Sequence, residues 1–406
     1  MFELLKGFQI MNLHLKNNLE TWLYISLCFF ALGFDVSLAI GNTGLGLAIA
    51  LGIACAIKKR DSLQPLQRID SGLIKVIAIF FIITVLSWLA GGEFSSKGIS
   101  NITNQVVFRF APFLLLPMAI KNKQQLIGFT AVLLVSFFIN NSYLIWQGME
   151  AAEALGVARP GGFMNYMYQG GLLCMIVSSL PILWLAAKRN DYKGILLVSW
   201  LVAVVASVFN STRGGWLASA ITLPLVMLSI TRNKKKMLAG IMVSFCLLGA
   251  LVAYSPSLHS RVDSIADTQS NSERFLMWQS AWNMFQDYPV LGIGVGNYTR
   301  AYQTQYILPE AKERELTHAH SNIMHLLAER GALGGGSFML MWGYFLWFSL
   351  KGWHKSGHYA YACFFAVVCS FTLQGLTEYN LGSALTSKFL WLTMAMSLRW
   401  LDLDGL

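Results

Sequence analysis

Residues 317–350 read THAHSNIMHLLAERGALGGGSFMLMWGYFLWFSL, and the change of character part-way along decides the fold. The first half is polar and titratable. From Gly334 to Leu350 there is no charge at all, and a run of roughly 17–25 such residues crosses a bilayer as a helix. A loop that carries imidazoles and then turns into an uncharged apolar helix marks the edge of a membrane. The whole chain agrees: 55% of its 406 residues are hydrophobic, 12% are charged and the mean hydropathy is +0.53. Soluble domains carry about twice that share of charge.

The sequence therefore predicts an all-α integral membrane protein. Apolar runs fall at roughly 21–36, 37–57, 71–90, 106–120, 126–148, 167–187, 193–210, 214–231, 236–254, 334–350, 358–377 and 382–400, about twelve transmembrane helices in all. The run at 106–120 is short and contains Arg109, Pro112 and Pro117, so it is expected to be kinked or to border a polar cavity. The expected organisation is one integrated domain: a nine-helix membrane region over 1–254, a large loop with short helices over 255–333, and a three-helix membrane region over 334–406. Residues 1–20 are polar and mixed in charge, so no cleavable signal peptide is expected before the first span.

Lysine and arginine set the orientation. Lys6, Lys16, Lys58, Lys59, Arg60, Arg68, Lys121, Lys123, Lys188, Arg189, Lys193, Arg232, Lys234, Lys235, Lys236, Lys351, Lys355 and Arg399 alternate with poorly basic connections, and together they exceed half of the 30 basic residues. The positive-inside rule then puts both termini in the cytoplasm and the long loop outside. The net charge of +10 is largely this topology signal and gives no reason to invoke nucleic acid. One dominant outer loop, amid short ones, points to a catalytic or recognition element on a helical scaffold rather than to a channel. The six cysteines all fall in expected spans, so no disulfide or thiolate metal site is implied. There is no Walker loop, and the glycine-rich GIGVGN at 292–297 lacks the strand-then-helix setting of a nucleotide site.

Few residues are positioned for chemistry. Arg213 follows Asn210-Ser211-Thr212 in an outer turn and precedes two glycines that permit close approach. A snorkelling arginine is the plain alternative, but this is the side on which basic residues are avoided, which favours an anion-binding role. Arg274 lies in the first turn of an expected amphipathic helix marked by Phe275, Trp278, Trp282 and Phe285 and closed by Pro289. That position opposes the helix dipole, so local stability does not explain it, whereas an arginine beside free N–H groups binds anions. The aromatic stripe itself reads as packing or interfacial anchoring.

His320 is expected to open a short helix, with Ile323, Met324 and Leu327 at i+3, i+4 and i+7 on the face turned toward the bundle. A hydrogen-bonded structural histidine is the plain reading; the functional one is a general base, because imidazole titrates near neutral pH. On a helix, His318, His320 and His325 do not share a face, so no metal is expected to be bound. Arg159, in the rigid turn Arg159-Pro160-Gly161-Gly162, could add positive charge to the same face, and Glu378 or Asn380 could orient an imidazole or a sugar.

These residues together resemble the O-antigen ligase family, within the superfamily that includes O-antigen polymerases. The motif reads His, then Asn, Ser or Gln, nine residues, Gly, two residues, then Gly, Thr or Tyr; His320, Ser321, Gly331 and Gly334 satisfy it. Arg274 is similar to the loop arginine of the superfamily and is followed by a Pro-x-x-Gly-x-Gly segment, Pro289 to Gly294. The resemblance implies an inner-membrane glycosyltransferase of the C type, inverting and metal-independent, without cofactor. It implies a polysaccharide donor on undecaprenyl pyrophosphate and a sugar hydroxyl of lipid A–core as acceptor, with the site in the periplasm. His320 would be the base, Arg213 and Arg274 would hold the leaving pyrophosphate, and Arg159, Ser321 and Glu378 would bind substrate. Gly331 and Gly334 would be structural. A polymerase would use the same donor but a lipid-linked glycan as acceptor, and the histidine motif leans toward ligase. A protein-glycosylating relative usually carries an additional C-terminal portion. A transporter or lipid flippase would place paired broken helices and charges at mid-membrane, and here the polar candidates gather on one side.

Overall fold

The computed structural model describes residues 18–92, 94–153, 159–231, 233–240 and 272–406, with isolated positions at 242, 246, 259, 262, 263 and 267. Among them every long element is helical: α1 (Leu19–Gly33), α2 (Leu38–Lys58), α3 (Ser71–Gly91), α4 (Ser96–Thr103), α5 (Ala111–Ala119), α6 (Lys123–Glu153), α7 (Tyr166–Ala186), α8 (Asn190–Asn210), α9 (Arg213–Ile230), α10 (Ser272–Asp287), α11 (Asn322–Ser356), α12 (Tyr359–Gln374) and α13 (Ala384–Leu403). Many starts carry a side-chain cap that takes an otherwise orphaned N–H: Asn18, Ser37, Asp70, Ser95, Asn165, Ser321 and Ser383 each accept from a backbone amide two or three residues on. Gly92 and Gly357 end α3 and α11 in the left-handed conformation that glycine adopts without cost.

Among the described residues, seven stretches are long and apolar enough to cross a membrane: Leu38–Lys58, Ser71–Gly91, Gly98–Ala119, Lys123–Glu150, Tyr166–Ala186, Asn190–Asn210 and Arg213–Ile230. Helix also occupies the runs expected at 21–36, 334–350, 358–377 and 382–400. The run expected at 236–254 and the start of the long loop lie outside the described residues, apart from the few positions named above. The stretch around Arg109 is broken as its composition suggests: α4 passes through a π turn (Asn104–Phe108) into α5, with Pro112 in the first turn and Pro117 inside.

α7, α12 and α13 are buried on nearly every face and form the bundle's centre. Small residues bring helices to backbone contact, as in membrane packing generally. A Cβ on Gly44 would sit 2.5 Å from the Phe30 nitrogen, which locks α2 against α1. The two ends of the bundle differ in charge. One gathers Lys121 with Glu20 at 3.0 Å, Arg68 with Asp402 at 2.8 Å, His358 with Asp404 at 2.8 Å, and Lys123 with Asp404. The other carries the turns at 211–213, 318–321 and 375–383.

The described part of the long loop has a small core of its own, in which Met277, Ala281 and Met284 of α10 pack with Tyr298, Tyr302, Tyr306 and Ala319. Phe275 and Trp282 are 51% and 41% exposed, so α10 packs by its methionine face and turns aromatic side chains outward. The expected boundary between loop and membrane region, at 333, falls inside α11. That helix is kinked at Gly331, whose φ of 61° and ψ of −161° are not helical.

Candidate active site

The motif glycines explain the kink. A Cβ on Gly331 would lie 2.4 Å from the Val290 carbonyl, and one on Gly292 would lie 2.2 Å from the Glu329 carbonyl carbon. The Pro289–Gly294 segment therefore docks directly on the broken helix. Ile293 and Gly294 donate to the Ala328 and Glu329 carbonyls at 3.0 Å, and Ala332 donates back to Pro289 at 2.8 Å. Gly334 faces the aliphatic part of Arg330, where a Cβ would come within 2.1 Å. This glycine-rich run is thus a packing device, not a ligand cradle.

His320 does not open the helix. Ser321 is the N-cap and α11 starts at Asn322, while His320 sits just before it with φ of 46°. A side chain in the left-handed region costs of order 1–3 kcal/mol and persists only where its surroundings fix it. Here they do. Asn322 N–H donates to the Gly375 carbonyl at 2.8 Å, its side-chain amide donates to Asn380 at 2.6 Å, and Leu381 N–H donates back to Asn322 at 3.1 Å. This clasp ties the start of α11 to the turn after α12 and brings Glu378 to His320.

The His320 Nδ1 lies 3.0 and 3.1 Å from the two Glu378 oxygens, and both side chains are buried. An ionised carboxylate can only accept, so Nδ1 is the donor, and in the neutral imidazole Nε2 is then the acceptor. Burial alone would raise the Glu378 carboxyl, but the hydrogen bond from His320 and electrostatic interaction with His320, His318 and Arg274 outweigh it and hold the group below its usual range. His318 packs edge-on against His320, ring centroids 4.3 Å apart, and sits 3.7 Å from Glu378. Burial, reinforced by His320, pushes its imidazole down to about 4, so it is neutral at neutral pH.

His325 belongs elsewhere. It lies 3.3 Å from Glu329 and stacks 3.7 Å from the Tyr379 ring. Helical spacing did separate His325 from the other two, but in the strained turn His318 and His320 converge. One donor atom each from His318, His320 and Glu378 lies within 4.8 Å of the others, a donor set of the kind that binds zinc. The three histidines do not gather at one point, but His318 and His320 meet because His320 is not on the helix.

Arg213 is the first residue of α9, after Ser211 in the left-handed region. Its two glycines serve helix contact, since a Cβ on Gly215 would meet the Gly170 carbonyl at 2.8 Å and one on Gly214 the Thr377 hydroxyl at 2.5 Å. Arg274 and Arg159 act on Arg213 as neighbouring like charges and Asp267 as an opposing one. Arg274, in the first turn of α10, also acts on Glu378. Arg274 therefore links the arginine group to the His320–Glu378 pair. Arg159 is exposed and lies over the Tyr166 ring at 5.4 Å. Ser321 is buried and its hydroxyl is used as the cap of α11. Three arginines, a carboxylate-held imidazole and a second imidazole thus share one end of the bundle, an arrangement able to hold an anion beside a base.

Residues 197–339 match the family model described as O-antigen ligase. This part of the chain, about a third of its length, is similar to the O-antigen ligase family. The matched stretch contains Arg213, Arg274, His320, Gly331 and Gly334, while Glu378 lies beyond it. The matched stretch makes this part of the chain similar to the superfamily of O-antigen ligases and polymerases. No curated protein matches the chain.

Proposed function

We propose that this protein is an O-antigen ligase. It moves polysaccharide from undecaprenyl pyrophosphate to a sugar hydroxyl of lipid A–core at the periplasmic face of the inner membrane, with about twelve spans and both termini cytoplasmic. The observation that carries the reading is the His320–Glu378 pair, 3.0 Å apart and within electrostatic reach of Arg274.

In this reading, Glu378 fixes the imidazole tautomer and His320 Nε2 takes the proton of the acceptor hydroxyl as that oxygen attacks the anomeric carbon. General-base help of this kind contributes about 10²–10⁴ in rate. Attack from the face opposite the pyrophosphate inverts the centre. Arg213 and Arg274 hold the departing pyrophosphate through charge-assisted contacts worth about 1.5–3 kcal/mol each, and Arg159 adds to their field. Only the part of that contact that grows as the bond breaks speeds the reaction. The pyrophosphate linkage supplies the driving force, and no metal is required.

Lipopolysaccharide from a deletion strain tests the reading. A ligase defect leaves lipid A–core bare while long lipid-linked polymer accumulates. Core capped with a single repeat would instead make the protein a polymerase.

A further inference from the structure

A second group of cations lies at the far end of the same turn that carries Glu378, and the reaction above does not use it. Arg330, the last residue before the Gly331 kink, is 1% exposed. Its Nη2 donates to Gln105 at 2.6 Å, but its Nε and Nη1 have no hydrogen-bond partner. Arg109, in the broken stretch between α4 and α5, donates from Nη1 to the Leu381 carbonyl at 2.8 Å and leaves its Nε unpartnered. The two guanidinium groups act on each other as like charges and line one small, partly open pocket, with Phe80 and Trp391 among its walls and no carboxylate. Lys388, one turn into α13 and itself buried, feels the Arg109 charge and donates to Asn42 at 2.7 Å.

Buried cations are expensive unless paired. Glu329, the adjacent acid, acts on Arg330 electrostatically but makes no hydrogen bond with it; it lies 3.3 Å from His325 and accepts from the Gly296 N–H at 2.9 Å. The Thr84 and Ser387 hydroxyls in the cavity wall donate to the Phe80 and Leu381 carbonyls, and neither accepts from the unpartnered guanidinium nitrogens. What is missing is an anion. Two guanidinium groups with free N–H edges match the several oxygens of a phosphate, and aromatic walls suit a phosphate borne on a lipid.

We propose that the Arg109–Arg330 cavity is a second anion site, taking a phosphate group separately from Arg213 and Arg274. Its lipid-borne source rests on the reading of donor and acceptor given above; the site itself does not. Two anion sites at opposite ends of one turn would let two phosphorylated lipids sit on either side of His320.

Full-length enzyme in phosphatidylcholine nanodiscs provides the test, with dioleoyl phosphatidic acid as the lipid phosphate and inorganic phosphate as the free one. Retained lipid is read by native mass spectrometry, in an Arg213→Gln background that silences the first site. Saturable retention of phosphatidic acid over phosphatidylcholine is expected, weakened about tenfold or more by Arg330→Gln or Arg109→Gln. Displacement by millimolar inorganic phosphate identifies a site for free phosphate, and resistance to it identifies a lipid headgroup; either supports the site. Equal retention in the glutamine variants, or no preference for phosphatidic acid in the parent, overturns it. Should Arg330→Gln fail to fold, Arg109→Gln and Arg330→Lys decide by the same criterion. Transfer activity is not the readout, so failure of this site and failure of the His320 reaction are told apart.

Discussion

His320 and Glu378, 58 residues apart in sequence, meet through a hydrogen bond of 3.0 Å from Nδ1 to a carboxylate oxygen. The bond exists because His320 occupies a left-handed turn instead of the first turn of α11, and because Asn322 and Asn380 lock that turn to the 375–381 segment. The strain is local and the compensation is tertiary, a combination that fixes one geometry of the imidazole.

Replacing Glu378 with glutamine should therefore cost activity without removing His320. An amide can donate to Nδ1 and favour the wrong tautomer, which leaves no lone pair at Nε2. Ligation is expected to fall by about 10²-fold or more, with protein level and melting temperature close to the parent and Glu378→Asp partly active. A glutamine variant with parental turnover would show that the carboxylate does not orient the base.

Acid should loosen this end of the protein. His318 is held down at about 4 against an ordinary 6.5, so between those values the unfolded chain binds more protons than the folded one. Stability from this group is complete above 6.5 and is lost as pH falls toward 4. Glu378 has the same sign: its depressed carboxyl stabilises above the unfolded value, and the gain is lost as pH falls through the folded one. Melting temperature is thus expected to be flat near neutrality and to decline below about pH 6. His318→Asn should flatten the upper part of that decline; an unchanged slope would count against a buried neutral imidazole.

Most of the bundle is legible in the sequence because a membrane imposes long apolar runs with basic ends; α7 at Tyr166–Ala186 lies within a residue of the run read at 167–187. Arg109 with Pro112 and Pro117 likewise announces a broken helix beside a cavity. The site is legible only in part. Arg213, Arg274 and His320 stand out because local structure explains none of them. The turn at His320 is hidden by the periodicity of Ile323, Met324 and Leu327, which extends backward without a break. Ser321 is the overlooked signal, since a serine before an apolar periodic run is an N-cap and stops the helix after His320. The pairing with Glu378 and the burial of Arg330 are tertiary facts.

Arg213→Lys keeps the charge but loses the planar fork that grips two oxygens at once. Ligation is expected to fall at least tenfold with protein level unchanged, and the deficit should show mainly in turnover. Wild-type activity in the lysine variant would reduce Arg213 to a diffuse charge.

Gly331→Ala should be a folding mutation. The backbone there occupies a region that only glycine reaches easily, and the new methyl group would press on the Val290 carbonyl. A loss of order 2–3 kcal/mol is expected, seen as a lower melting temperature in detergent. Gly336→Ala serves as the control, since a Cβ there meets nothing within 4 Å. Equal melting temperatures for the two variants would remove the structural reading of this motif glycine.

His320→Ala should abolish or nearly abolish transfer while binding of the lipid-linked donor survives, because the anion contacts lie on Arg213 and Arg274 and the base contacts the acceptor. Purified enzyme with lipid-linked donor and rough lipopolysaccharide allows both quantities to be measured on one preparation. Loss of donor binding in the alanine variant would move His320 into the anion site. The same assay settles the metal question that the geometry raises, since donor atoms of His318, His320 and Glu378 lie within 4.8 Å of one another. In the proposed reading, with Nδ1 of His320 bonded to Glu378, the group works as a base and its orienter. Chelator should then leave transfer unchanged. Activity lost in EDTA and restored by a divalent ion would make the three residues ligands, and His320 could no longer be the free base.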